Sequence, residues 1–169
     1  MTIEKKLEDD FVKEAKAIVK DSLEVLERIE GDFSQVQSLA EFGNLIDRIM
    51  GAARSLVLMG EGGDAVVVVG DYAEVCKFVA YKASALQGNS QLFDVSVALL
   101  LDAVETLSHI LDHMHETQEQ LKVHFTDAFI ERLRWVSQQF SAEASVGSVK
   151  AEGTMNQSDI DQLLAKLGF

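Results

Sequence analysis

The sequence predicts an all-α protein: an antiparallel four-helix bundle with an extra C-terminal helix and a tethered short amphipathic helix. Three observations predict it. None of the 169 residues is proline, the strongest helix breaker. Apolar residues recur at spacings of three and four through five successive segments, the period of one helical face. Hydrophobic residues make up 47% and charged residues 25%, a globular balance that argues against wholesale disorder.

The first segment, from about Leu7 to Glu30, carries Phe11, Ala15, Ile18, Val19, Leu26 and Ile29 on one face, and Gly31 breaks it. The second starts near Ser38 and runs through Phe42, Ile46, Ile49, Ala53 and Leu56 to the punctuation "GEGGD". The third opens on four valines, which by propensity alone could form a strand over 64–70. Yet Val69, Tyr72, Cys76, Val79 and Ala83 continue a helical stripe that Asp64 is placed to cap, and helix is favoured.

The fourth segment has the clearest pattern. Phe93, Val97, Leu100, Val104, Leu107, Leu111 and Met114 alternate spacings of four and three, after cap signals at Asn89 and Ser90. A shorter fifth stripe is Phe129, Leu133, Val136 and Phe140. The polar stretch "SAEASVGSVKAEGT" has no periodicity and reads as flexible. The expected division is a bundle over 1–124, an additional helix over 125–143, a linker over 144–155 and an amphipathic helix over 156–169. The fifth helix packs on the outside, or extends the bundle into a homodimer.

The formal net charge of -13 repels phosphate backbones and argues against a nucleic-acid partner. The apolar runs "AVVVV" and "VALLL" are too short to cross a bilayer, and "MTIEKKLEDDF" lacks a signal-peptide core. The single cysteine, Cys76, forms no intrachain disulfide and reads as a small core hydrophobe in a reducing, cytoplasmic setting. His109 and His113 share a helical face, with Asp112 and Glu116 nearby, but nothing completes a structural site, so no metal is expected. "GEGG" lacks the spacing and the lysine of a nucleotide loop.

The closing stretch "MNQSDIDQLLAKLGF" has its own logic. Ser158 reads as an N-cap, and Asp159 and Asp161 suit the positive end of the helix dipole. Ile160, Leu163, Leu164 and Leu167 fall at i, i+3, i+4 and i+7, with Lys166 and Gly168 at the C-terminal stop. So short a helix is marginal alone. The segment is therefore expected to be mostly disordered until a partner groove folds it, with those four residues and Phe169 as anchors, the alternative being that it packs back on its own bundle as a further element. Deleting residues 155–169 should then leave the bundle's melting unchanged.

The stretch "IDRIMGAARSLVLMG", with "FVKEA" in the first helix and the loop "LQGNSQL" before the fourth, resembles the histidine-phosphotransfer (HPt) domain at the start of CheA kinases. "AARSL" stands where that family has "AAHSL" or "AAHTL". The resemblance implies a four-helix bundle with a degenerate phosphoacceptor position: Arg54 replaces the histidine, Val57 the usual lysine and Leu58 the usual glycine. Phosphotransfer needs a neutral nucleophilic nitrogen, and a guanidinium stays protonated, so Arg54 cannot carry it.

The end "SDIDQLLAKLGF" is similar to the C-terminal peptide of CheZ phosphatases, and "NQSDIDQLL" to the opening peptide of the flagellar switch protein FliM. Both families hold the response regulator CheY, preferentially when it is phosphorylated. The resemblance implies a cytoplasmic chemotaxis or two-component regulator that binds a CheY-like receiver through Asp159, Ile160, Asp161, Leu163, Leu164, Leu167, Gly168 and Phe169. No cofactor is implied beyond Mg2+ carried by the bound receiver. The alternative is a divergent CheZ-like phosphatase, whose acid and water-positioning glutamine would be Glu116 and Gln120, four residues apart on one helical face in "HMHETQEQL". Transfer through an off-pattern histidine is a third, weaker reading. "ExxN" at Glu41 and Asn44 lacks the proline that another chemotaxis phosphatase family requires, and is set aside.

Overall fold

The computed structural model describes residues 2–146 and 157–169. Its α-helices are α1 (Ile3–Ile29), α2 (Leu39–Leu58), α3 (Asp64–Ser84), α4 (Ser90–Asp112), α5 (Gln118–Leu121), α6 (Asp127–Val146) and α7 (Gln157–Lys166). Short 3-10 turns occupy Phe33–Ser38 and Lys122–His124, and no strand occurs among the described residues. All-α is the observed class. None of the described helices is long and apolar enough to cross a membrane.

The valine run belongs to α3 because that helix is enclosed by its neighbours. Helix α3 packs on α2, α4, α5, α6 and α7. Val66, Val68 and Val69 are buried, and only Val67 of the run faces outward. A helix covered on most sides is apolar on most sides, and the amphipathic signal weakens accordingly. Helix α1 packs on α2 and α4, so the neighbour order α1–α2–α3–α4 returns to α1.

The α2–α3 interface shows its direction in polar rungs. Asn44 pairs with Tyr81, Asp47 with Lys77, and Arg54 with Asp71 and Glu74. One number falls as the other rises, so these two helices run antiparallel. The close approach is permitted by glycine: a Cβ on Gly43 would lie 2.7 Å from the Tyr81 ring.

One buried cluster runs from Phe11 of α1 through Phe129, Leu133, Val136 and Phe140 of α6 to Ile160, Leu163, Leu164 and Leu167 at the C-terminal end. The stripe of the fifth predicted helix, which left room for a homodimer, is thus covered by the chain's own core. The expectation of a tail mostly disordered on its own is likewise corrected. Helix α7 rests on α3 and α6, with its whole apolar stripe buried. Burying four large apolar side chains gains roughly 1.5–3 kcal/mol each before ordering costs, and it is this packing that a helix too short to persist alone depends on.

Helix ends bring further corrections. Helix α1 starts at Ile3, earlier than expected, capped by Thr2 Oγ1 accepting from Lys5 N. Asn89 caps α4 as expected, through Leu92 N. Asp64 is the first helical residue of α3, not its cap, and its carboxylate accepts instead from Gln118 N. Helix α7 starts at Gln157, so Ser158 lies inside its first turn. Residues 144–146 belong to α6, and the rest of the expected linker lies outside the described residues.

The fourth helix stops at Asp112, short of Met114 and of Glu116. The cause is local. Thr117 and Gln120 form a capping box: Thr117 Oγ1 accepts from Gln120 N, and Gln120 Oε1 accepts from Thr117 N. That box starts a new helix, so the chain must leave the old one first.

Candidate functional site

Three regions hold the residues singled out in the sequence. The first is Arg54, on α2 and facing α3. Its Nη1 donates to Asp71 Oδ1 at 2.7 Å and its Nη2 to Glu74 Oε2 at 2.8 Å. The Arg54 side chain is 34% exposed and that of Asp71 only 8%. Burial pulls the guanidinium pKa down, but the hydrogen bonds and charges of Asp71 and Glu74 more than offset it, leaving it above its ordinary value. A Cβ on Gly70 would lie 3.2 Å from Arg54 Nη1, so glycine there makes room for the guanidinium.

Arg54 therefore ties two helices together as a permanent cation. Just beyond it Val57, Leu58 and Met59 are exposed, with Leu58 at 87%. Apolar surface stands where the resemblance implies a lysine and a glycine.

The second region is the C-terminal segment. Ile160, Leu163, Leu164 and Leu167 are buried and Phe169 is half-buried. Asp161, Gln162, Ala165 and Lys166 face outward, and Asp159 is half-buried on the side of Lys82. The seat is built partly by the stretch between α4 and α6. Gln118 Nε2 donates to the Lys166 carbonyl at 2.7 Å. The Phe125 ring meets Phe169 edge-on at 5.5 Å and Tyr72 at 5.0 Å. Gly168 has a φ of 95°, the left-handed stop expected of it, and a Cβ there would fall 2.0 Å from Lys122 Cε. The apolar residues of the segment are thus gathered against this chain's own α3 and α6.

The third region holds Glu116 and Gln120. They do not share a helical face, because Glu116 lies in the turn before α5. Gln120 is committed to the capping box, and Glu116 Oε2 accepts from His124 Nε2 at 3.1 Å. The two side chains therefore face different partners, and the expected pairing on one helical face is not formed.

Sequence reading paired His109 with His113, whereas the structure pairs His113 with His124 and Glu116. The three donor atoms lie within 4.8 Å of one another. His113 Nδ1 is 2.7 Å from the His109 carbonyl, and the His113 and His124 rings are 4.9 Å apart. Spacing relates His113 to Glu116 but not to His124, which comes after a turn and a short helix, at the end of a 3-10 turn.

No family model, curated protein or solved structure matches this chain.

Proposed function

We propose that the chain is a regulator of two-component signalling that binds a CheY-like receiver through residues 157–169, on an antiparallel four-helix, HPt-like bundle that cannot pass phosphate through position 54. The observation that carries this reading is the Arg54–Asp71–Glu74 cluster. At the place where the resemblance puts a nucleophilic imidazole there is a cation locked to two carboxylates. A protein that keeps such a bundle without its nucleophile is suited to hold a receiver rather than to exchange phosphate with it.

The docked tail adds a condition. Its anchors are occupied by α3 and α6, so a receiver must take the helix from the bundle. The apparent affinity is then the peptide's own affinity reduced by the fraction of chains with the tail released. A synthetic peptide of residues 155–169 is expected to bind the phosphorylated receiver more tightly than the full chain does. Gln118→Ala, which removes the bond to the Lys166 carbonyl, should strengthen binding by the full chain about fivefold, the worth of roughly 1 kcal/mol.

Following label on a phosphorylated receiver from the same cell completes the test. Binding with unchanged decay supports the reading. Faster release of free phosphate would make the chain a phosphatase, and label appearing on the chain would make it a phosphotransfer protein. A peptide with no affinity for any receiver, phosphorylated or not, removes the proposal.

A further inference from the structure

The geometry points to a site for a divalent transition-metal ion, with Zn2+ as its reference occupant, formed by His113, Glu116 and His124. The three side chains come from the end of α4, the following turn and the Lys122–His124 turn, and their ligand atoms lie within 4.8 Å of one another. Donors about 2.1 Å from a tetrahedral zinc sit roughly 3.4 Å apart. The 3.1 Å between His124 Nε2 and Glu116 Oε2 already matches that separation. Small side-chain rotations bring in the third ligand.

The ligand chemistry is also prepared. The His109 carbonyl can only accept, so His113 Nδ1 at 2.7 Å carries the ring proton and its Nε2 keeps a free lone pair. A backbone carbonyl on the non-ligating nitrogen is the usual outer-shell support of a metal-bound histidine. Glu116 and His124 have side chains about one-fifth exposed, at 20% and 19%, mostly out of water yet reachable by an ion. On binding, His124 holds its single ring proton on Nδ1, which leaves the Nε2 lone pair to the ion, and the ion takes the place of the Nε2 proton against Glu116. The parallel His109 ring, 6.3 Å from that of His124, walls the site without ligating.

Two imidazoles and one carboxylate suit zinc, cobalt or nickel rather than calcium or magnesium, which take oxygen ligands. Three protein ligands leave a fourth position for water. The ion would fasten the 113–124 segment, which itself seats the tail through Gln118 and Lys122. Metal and tail are thereby coupled.

The test is a Zn2+ titration of the chelator-treated full chain by calorimetry, with Co2+ as a spectroscopic probe. One ion per chain is expected, with visible Co2+ bands of tetrahedral character. The double variant His113→Gln, His124→Gln should bind at least tenfold more weakly. Glu116→Gln keeps a hydrogen-bonding side chain beside His124 and guards against a folding defect; it should also lose affinity and alter the Co2+ spectrum. His115→Gln, outside the set, should bind like the parent. Absence of binding, or equal affinity in the double variant and the parent, overturns the site and leaves the His124–Glu116 pair a structural contact.

Discussion

Arg54 and Asp71 meet across the α2–α3 interface with 2.7 Å between Nη1 and Oδ1. The two residues differ in exposure, with the carboxylate buried and the guanidinium a third open to water. Removing either one therefore has unequal consequences.

Arg54→Ala would leave Asp71 buried without its cation. Breaking a fully buried pair costs several kcal/mol, and the solvent around Arg54 screens part of that, so a loss of about 2 kcal/mol is expected. Adding Asp71→Ala should recover some of it. A double-mutant cycle in urea should give a coupling of roughly 1–3 kcal/mol between the two positions. Strict additivity would show that the pair contributes nothing to the α2–α3 contact.

Deleting residues 155–169 should lower the melting temperature, because it uncovers apolar surface of α3 and α6. The gross gain from the buried stripe is largely offset by the cost of ordering the segment, so a net loss of about 1–3 kcal/mol is expected. At about 2–4 °C per kcal/mol for a chain of this size, calorimetry resolves it. A truncated chain that melts with the parent would show that α7 is not seated in solution.

Cys76 sits inside α3, and burial pushes its thiol up to about 12. Only the thiolate attacks disulfide reagents, so the native protein should resist labelling at pH 8 and release one equivalent of thiol in denaturant. Rapid native labelling would mean that the α3 interior opens readily.

Much of the fold was legible because helices announce themselves locally. The unbroken stripe from Phe93 to Leu111 predicted α4, and Asn89 its start. The valines of α3 were ambiguous because burial on several sides erases the period that distinguishes helix from strand. The break after Asp112 carried a readable signal, the Thr117 and Gln120 capping box, which the run of apolar spacings through Met114 masked. The anchors of the tail were identified as a set, but their occupant was not. An apolar stripe states that it must be covered and says nothing of what covers it.

From the sequence alone came the helical class, the faces of the main helices, and the inability of the Arg54 guanidinium to act as a nucleophile, all set by side-chain chemistry and spacings within a turn or two. Tertiary structure decided that α7 folds back on α3 and α6, that Arg54 is held by Asp71 and Glu74, and that His113 meets His124 and Glu116. The reason is physical. These contacts join segments related only by how the core packs, and no local period encodes which buried face a stripe will choose.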